Sequence, residues 1–236
     1  MKAIVCVKYG SPEGLELQEV EKPVAGEREV LIKIYAATVT AGDVMIRRLT
    51  FPRYVLIWPF ARVLGGMKNL RKRILGHEFA GEIQAIGKSV NRFKRGDQVF
   101  GTTTGFSSGA HAEYICLPED GVFAMKPAGM TYEQAAAVPV GSMTALYILK
   151  GVDIQDGQKV LVYGASGSVG TFAVQIAKAL GAEVTGVCSG RNLELVTSLG
   201  AGAVIDYTKE DFSEASERFD VVFDAVGKLT MKQAKR

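Results

Sequence analysis

Cysteine is scarce in this chain. Its 236 residues hold three, Cys6, Cys116 and Cys188, far apart and each in a strand-like stretch. That spacing excludes a disulfide framework and points to reduced, buried thiols in a reducing compartment, expected to be cytoplasmic. Long apolar runs are missing too. The opening Met1-Lys-Ala-Ile-Val-Cys-Val-Lys8 is apolar for too short a stretch to be a signal peptide and reads as a first strand. Tyr54-Val-Leu-Ile-Trp-Pro-Phe60 is too short to span a bilayer and contains a proline. Charge of one sign is nearly balanced, with a net charge of +3, which gives no case for nucleic acid or a membrane as partner. The densest basic run, Lys68-Asn-Leu-Arg-Lys-Arg73, reads as a solvated surface loop. No internal repeat and no low-complexity tract is present.

What is present is an ordinary globular composition, 47% hydrophobic and 22% charged, in a chain long enough for one or two domains with a real core. One stretch organises it. Lys159–Gly181 reads KVLVYGASGSVGTFAVQIAKALG. Val160, Leu161 and Val162 suit a strand buried on both faces. Gly164-Ala-Ser-Gly167-Ser-Val-Gly170 follows at once, and then Phe172, Val174, Ile176, Ala177 and Leu180 recur at helical spacing up to Gly181, a C-cap. Strand, glycine turn and helix start together present backbone N–H groups to an anion. Gly164 allows an unusual backbone angle, Gly167 a close approach of pyrophosphate, and Gly170 tight packing of helix on strand. The usual dinucleotide fingerprint has glycine where this chain has Ala165, so the match is to a variant. The alternative is a glycine turn in an α/β domain that binds no nucleotide.

Residues 1 to about 125 read mainly as short strands and turns: Ala3–Lys8, Leu15–Val20, Glu29–Ala37, Glu82–Ile86, Gln98–Gly101 and Ala112–Leu117. Many short strands with frequent turns point to a partly closed barrel. Val44, Met45 and Ile46 open a short helix, and the aromatic stretch Phe51–Phe60 either lines a pocket for an apolar, planar molecule or folds on itself. Thr131 with Gln134 forms a capping box. Pro139–Ser142 interrupts the helical pattern, and Thr144–Lys150 resumes it. After the organising stretch come strand Glu183–Cys188, a helix through Leu199 capped by Gly200, strand Ala203–Asp206, and strand Asp220–Asp224. Strands alternating with helices indicate a doubly wound parallel sheet. A full dinucleotide fold has about six such strands. The expected division is a first domain over 1–125 and a second over 126–236.

Several separated motifs in order carry a resemblance: Lys2-Ala-Ile, Thr40-Ala-Gly-Asp43, Gly76-His-Glu-Phe-Ala-Gly81 with Gly87, Gly96-Asp-Gln-Val99, Ala135–Thr144, the Gly164–Gly170 turn, and Phe223-Asp-Ala-Val-Gly227. From Met1 to about Gly227 the chain resembles the medium-chain dehydrogenase/reductase superfamily, on its zinc-independent, quinone-oxidoreductase-like branch. The resemblance implies an α/β protein with a GroES-like β-barrel domain followed by a Rossmann domain. That second domain is incomplete beside relatives that continue further, so the chain looks truncated.

For the site, the resemblance implies no metal. Zinc-dependent relatives hold the ion with a cysteine shortly before Asp43, the histidine of Gly76-His77-Glu78, and a later cysteine. Ala41 and Gly42 stand where the first would be. His77 then reads as a residue of a packed turn, and His111 as one at a surface or strand end. No acid follows the second strand to hold a ribose hydroxyl. Ser189 and Arg191 stand there, and Tyr207 matches a family tyrosine that touches a 2′-phosphate, so NADPH is expected over NADH. The cofactor-binding set is Thr144, Gly164, Ala165, Ser166, Gly167, Ser168, Val169, Gly170, Ser189, Arg191, Tyr207, Val226 and Gly227. Glu194 offers an alternative ion pair for Arg191.

The implied reaction is hydride transfer to a quinone or an α,β-unsaturated carbonyl, a small apolar substrate, with a homodimer as one open assembly. Thr40, Tyr54 and Thr144 are the catalytic candidates. The Thr40 hydroxyl either binds substrate or caps a turn, and Thr144 either lies beside the nicotinamide or caps a helix. Tyr54 is a proton donor by loop position alone, and Met45 stands where some relatives have tyrosine. The alternative function is an NADP(H)-binding chain without turnover. A zinc alcohol dehydrogenase comes third.

Overall fold

The computed structural model describes residues 1–48, 73–103, 109–210, 212 and 218–230. The chain divides into two compact units, Met1–Pro139 and Val140–Arg236.

The first unit is built from two antiparallel sheets. One carries β2 (Leu15–Glu19), β1 (Lys2–Cys6) and β4 (Arg73–Ile74) in that order. The other carries β7 (Tyr114–Pro118), β3 (Glu29–Ala37), β5 (Glu78–Ile86), β6 (Gln98–Thr102) and β8 (Phe123–Met125). A lone bridge between Ala3 and Ala112 links β1 to the approach to β7. Val30 and Ile32 of β3, Phe79 and Ile83 of β5, and Val99 of β6 are fully buried. Phe93 and Phe123 close that core as a stacked pair, ring centroids 4.7 Å apart. Each such side chain contributes about 1.5–3 kcal/mol by leaving water.

Two elements here differ from the sequence pattern. β5 starts at Glu78 rather than Glu82, because Phe79 and Ala80 pair on both sides, with β3 and with β6. The early helix α1 (Ala41–Arg48) starts ahead of the apolar Val44, because Thr40 and Asp43 form its first turn. The capping box at Thr131 forms as read: its hydroxyl accepts from the Gln134 N–H, and the Gln134 side chain accepts from the Thr131 N–H. It opens α2 (Tyr132–Ala136), whose Ala135 and Ala136 pack on Ala80.

The second unit is a parallel sheet in the order β11-β10-β9-β12, from β9 (Lys159–Tyr163), β10 (Glu183–Cys188), β11 (Ala203–Asp206) and β12 (Val221–Asp224). The helices are α3 (Pro139–Lys150), α4 (Ser168–Ala179) and α5 (Leu193–Ser198). Val160, Leu161 and Val162 are fully buried, as a central strand covered on both faces requires. Ala173, Val174 and Ala177 of α4 and Ala145 and Leu149 of α3 complete the core. Pro139 does not interrupt a helix but opens α3. Proline has no N–H to lose in a first turn, and its fixed φ suits that position. The fold class is as expected: a GroES-like domain and a Rossmann-type parallel sheet.

Candidate functional site

Strands taken in chain order lie 3-2-1-4 across the second sheet, so the order reverses between β9 and β12. Ligands of such sheets sit at the carboxyl ends of the strands at that reversal. Four connections leave those ends: Gly164–Gly170, Ser189–Asn192, the segment from Tyr207, and Ala225–Gly227.

The glycine turn has the shape its residues predict. Gly164 has φ +79°, a left-handed angle, and a β-carbon there would run into the Val226 side chain. The turns after β9 and β12 therefore touch. Ala165 and Gly164 both donate to the Val187 carbonyl at 3.0 Å, which ties the turn to β10. A β-carbon on Gly170 would fall on the Gly164 carbonyl oxygen, so α4 packs hard on the turn. Gly167 is different. It is exposed, and a β-carbon there would meet only the Gly164 oxygen at 3.4 Å. It precedes α4, whose start has no side-chain cap. Open space over Gly167 and uncapped N–H groups from Ser168 onward fit a phosphate group.

Gly141 of α3 lies directly against Ser168 and Phe172 of α4. Thr144, exposed, stands three residues further along α3. The sequence pattern had placed Gly141 in a break rather than at a helix contact. At the end of β10, Ser189 is half-buried and Arg191 is exposed. Among the described residues Arg191 makes no ion pair with Glu194. Tyr207 is 53% exposed and its N–H reaches the Cys188 carbonyl at 3.1 Å.

Two residues near this edge carried no sequence signal. Asn192 Nδ2 donates to Ser166 Oγ and to Ser189 Oγ, each at 3.1 Å. Asp206 is buried, and its Oδ1 accepts from both the N–H and hydroxyl of Thr208, at 3.0 and 2.7 Å. Those two bonds hold its carboxyl below the usual range. Its other oxygen lies under Gly190, where a β-carbon would meet it at 2.5 Å. After β12, Asp224 Oδ1 accepts from the N–H groups of Val226 and Gly227, both at 2.9 Å, and Oδ2 from Leu229. Burial would push its carboxyl up, but these backbone donors win and hold it down.

In the first unit, Asp43 is 3% exposed. Its Oδ2 accepts from the N–H and the hydroxyl of Thr40, both at 2.8 Å, and its Oδ1 accepts from Gly76 N–H at 3.2 Å and lies 2.7 Å from His77 Nδ1. Burial alone would raise the Asp43 carboxyl. The bonds from His77 and Thr40 outweigh it and pull it to about 2. The carboxylate is thus ionised and can only accept, so His77 Nδ1 carries the proton. Thr40 Oγ1 also accepts from the Asp43 N–H at 3.2 Å. Its one proton is given to Asp43, which favours the capping role over substrate donation. His111 is half-buried, directly before the bridge residue Ala112, with Nε2 2.8 Å from the Thr38 carbonyl oxygen.

Tyr54 and the stretch 51–60 lie outside the described residues. All three cysteines are free, and burial pushes their thiols up, Cys116 to about 11 with help from the Glu29 charge. Among the described residues no group of three or more His, Cys, Asp or Glu side chains is arranged to hold a metal, and no helix is long and apolar enough to cross a membrane.

Residues 26–127 match the alcohol dehydrogenase GroES-like domain family, and residues 168–236 the zinc-binding dehydrogenase family. Quinone oxidoreductase of Sus scrofa is 33% identical over 98% of this chain and 68% of its own length. The chloroplastic NADPH-dependent alkenal/one oxidoreductase of Arabidopsis thaliana is 32% identical over 96% of this chain and 58% of its own length. The solved quinone oxidoreductase of Coxiella burnetii superposes with a TM-score of 0.84 at 33% identity, over 96% of this chain and 69% of that one. The chain spans 57% to 62% of the length of the first curated relatives it matches.

Proposed function

The chain belongs to the medium-chain dehydrogenase/reductase superfamily, on its quinone-oxidoreductase-like branch, and on that premise we propose that it passes hydride from NADPH to a quinone or an α,β-unsaturated carbonyl without zinc. The observation that carries the reading is the open cradle over Gly167 at the uncapped start of α4, placed where the strand order reverses. A cofactor whose pyrophosphate lay there would supply the hydride from its nicotinamide ring. Gly164 through Gly170 would hold the pyrophosphate on backbone N–H groups. Ser189, Arg191 and Tyr207 would hold the 2′-phosphate, with Arg191 free to form a charge-assisted contact. Val226 and Gly227 would border the same edge, and Thr144 the nicotinamide half. Addition of hydride to the β-carbon of an enone leaves charge on the carbonyl oxygen, which hydrogen-bond donors must meet, and one proton completes the reduction. Tyr54 remains the candidate proton donor. What supports a reaction without zinc is that Ala41 and Gly42 stand where zinc-dependent relatives place a cysteine, which leaves His77 without a thiolate partner at that motif.

A second reading, cofactor binding without turnover, is favoured by one fact: the residues assigned to the adenosine half all fall between Gly164 and Tyr207, within one unit. Titration with NADPH and NADH by nicotinamide fluorescence tests binding, and consumption of NADPH with a simple enone or benzoquinone tests turnover. Saturable NADPH binding with turnover that survives a zinc chelator is the expected result. Binding without turnover supports the second reading, and preference for NADH overturns the cofactor assignment.

A further inference from the structure

We infer that Asn192 is a positioning residue for cofactor recognition, clasping Ser166 and Ser189 so that both hydroxyl protons point at phosphate groups of the bound cofactor. The inference rests on the NADPH reading above. Ser166 belongs to the glycine turn after β9, and Ser189 to the connection after β10. One amide nitrogen spans them, 3.1 Å from each oxygen. A primary amide has two N–H bonds, one for each serine. Each serine oxygen is thereby an acceptor towards Asn192, and its own proton is left for another partner. Among the described residues neither hydroxyl donates to a protein acceptor. The Asn192 backbone is fixed by its N–H to the Ser189 carbonyl at 2.9 Å. All three side chains are half-buried, which limits competition from water.

The choice of a neutral amide follows from electrostatics. An aspartate here would accept both serine protons, turning them inward, and would add a negative charge beside phosphate. The two serines also differ in what they would meet. Ser166, a residue of the glycine turn, would meet the pyrophosphate, common to NADPH and NADH, on the reading above. Ser189 stands at the end of β10, where only NADPH places a phosphate. Loss of Asn192 should therefore weaken both cofactors through Ser166 and NADPH further through Ser189.

The test titrates the full chain with NADPH and with NADH by nicotinamide fluorescence, with melting temperatures alongside. Asn192→Ala is expected to weaken NADPH roughly tenfold and NADH roughly threefold, in line with loss of oriented hydrogen bonds to charged groups. In a Ser189→Ala background the extra NADPH loss should vanish, because the effect passes through that hydroxyl. Asn192→Asp, nearly isosteric, should weaken NADPH more than Asn192→Ala does and decides the matter alone if the alanine variant does not fold. An unchanged ratio of NADPH to NADH affinity in Asn192→Ala, an undiminished loss in the Ser189→Ala background, or wild-type binding by Asn192→Asp overturns the inference while the cofactor reading stands. Absence of binding to either cofactor by the wild type overturns both.

Discussion

The Asp43 carboxylate and the His77 imidazole meet at 2.7 Å although 34 positions separate them in the chain. Their bond joins the start of α1 to the turn before β5 and helps hold the Asp43 carboxyl at about 2, against an ordinary 3.8. A folded-state value below the unfolded one stabilises the fold above the unfolded value, and that stabilisation is lost as pH falls towards 2. Asp43→Asn should therefore cost on the order of 2 kcal/mol at neutral pH. Urea midpoints of wild type and variant should converge as the pH is lowered from 5 to about 2.5. A gap that stays constant over that range would show that the Asp43 charge is not the cause.

Thr40 is expected to matter more for folding than for chemistry. Thr40→Val removes the acceptor for the Asp43 N–H and one donor to its carboxylate, a loss of about 1 kcal/mol at a helix start. The acid limb of the stability curve should also move to higher pH, since Asp43 loses a partner that keeps it ionised. Thr40→Ser should behave as wild type. A Thr40→Val protein with unchanged melting but a collapse in kcat would assign the hydroxyl to substrate instead.

Gly167 and Gly170 should separate binding from folding. Gly170→Ala drives a methyl into the Gly164 carbonyl and should destabilise by about 1–3 kcal/mol, the usual cost of overpacking. Gly167→Ala meets no such obstacle, so its melting temperature should stay near wild type. The new methyl would fill the space kept for phosphate, and NADPH affinity should drop roughly tenfold, about 1.4 kcal/mol. Comparable melting losses in both variants would count against the cradle.

Arg191 is expected to distinguish the two cofactors. Arg191→Ala should weaken NADPH about tenfold, the worth of a charge-assisted contact, and leave NADH untouched. Wild-type NADPH affinity should fall with added salt, because an exposed guanidinium is screened, and the variant should lose part of that dependence. Equal losses for NADH and NADPH would place Arg191 away from the 2′-phosphate.

What the sequence made legible was local. The run Val160–Val162 followed by three glycines and a periodic helix is a pattern contained in about twenty residues, and it folds as it reads. The Thr131 capping box is likewise written in four consecutive residues. Pro139 misled because a proline inside an apolar pattern looks like a stop, whereas at a first turn it is a start. β5 begins four residues ahead of the expected Glu82, at Glu78, which is 2% exposed and accepts from the Thr38 hydroxyl, because Phe79 and Ala80 find partners only in the folded ladder. Two partnerships, one in each unit, were not legible at all. Asp43 meets His77 across 34 positions and Asn192 meets Ser166 across 26, and no spacing rule encodes such meetings.

The position of β12 also has a consequence in time. β9 pairs on one side with β10, its immediate successor, and on the other with β12, and Asp220, just before β12, accepts from the Lys159 N–H across 61 positions. Closing so long a loop is slow relative to forming the adjacent strand–helix–strand unit. On that ordering the glycine turn forms before its contact with Val226, which packs on Gly164 only once β12 has paired. Pulse-labelled hydrogen exchange should show β10 amides protected before those of β12, with the turn at Gly164 closed only after β12 pairs.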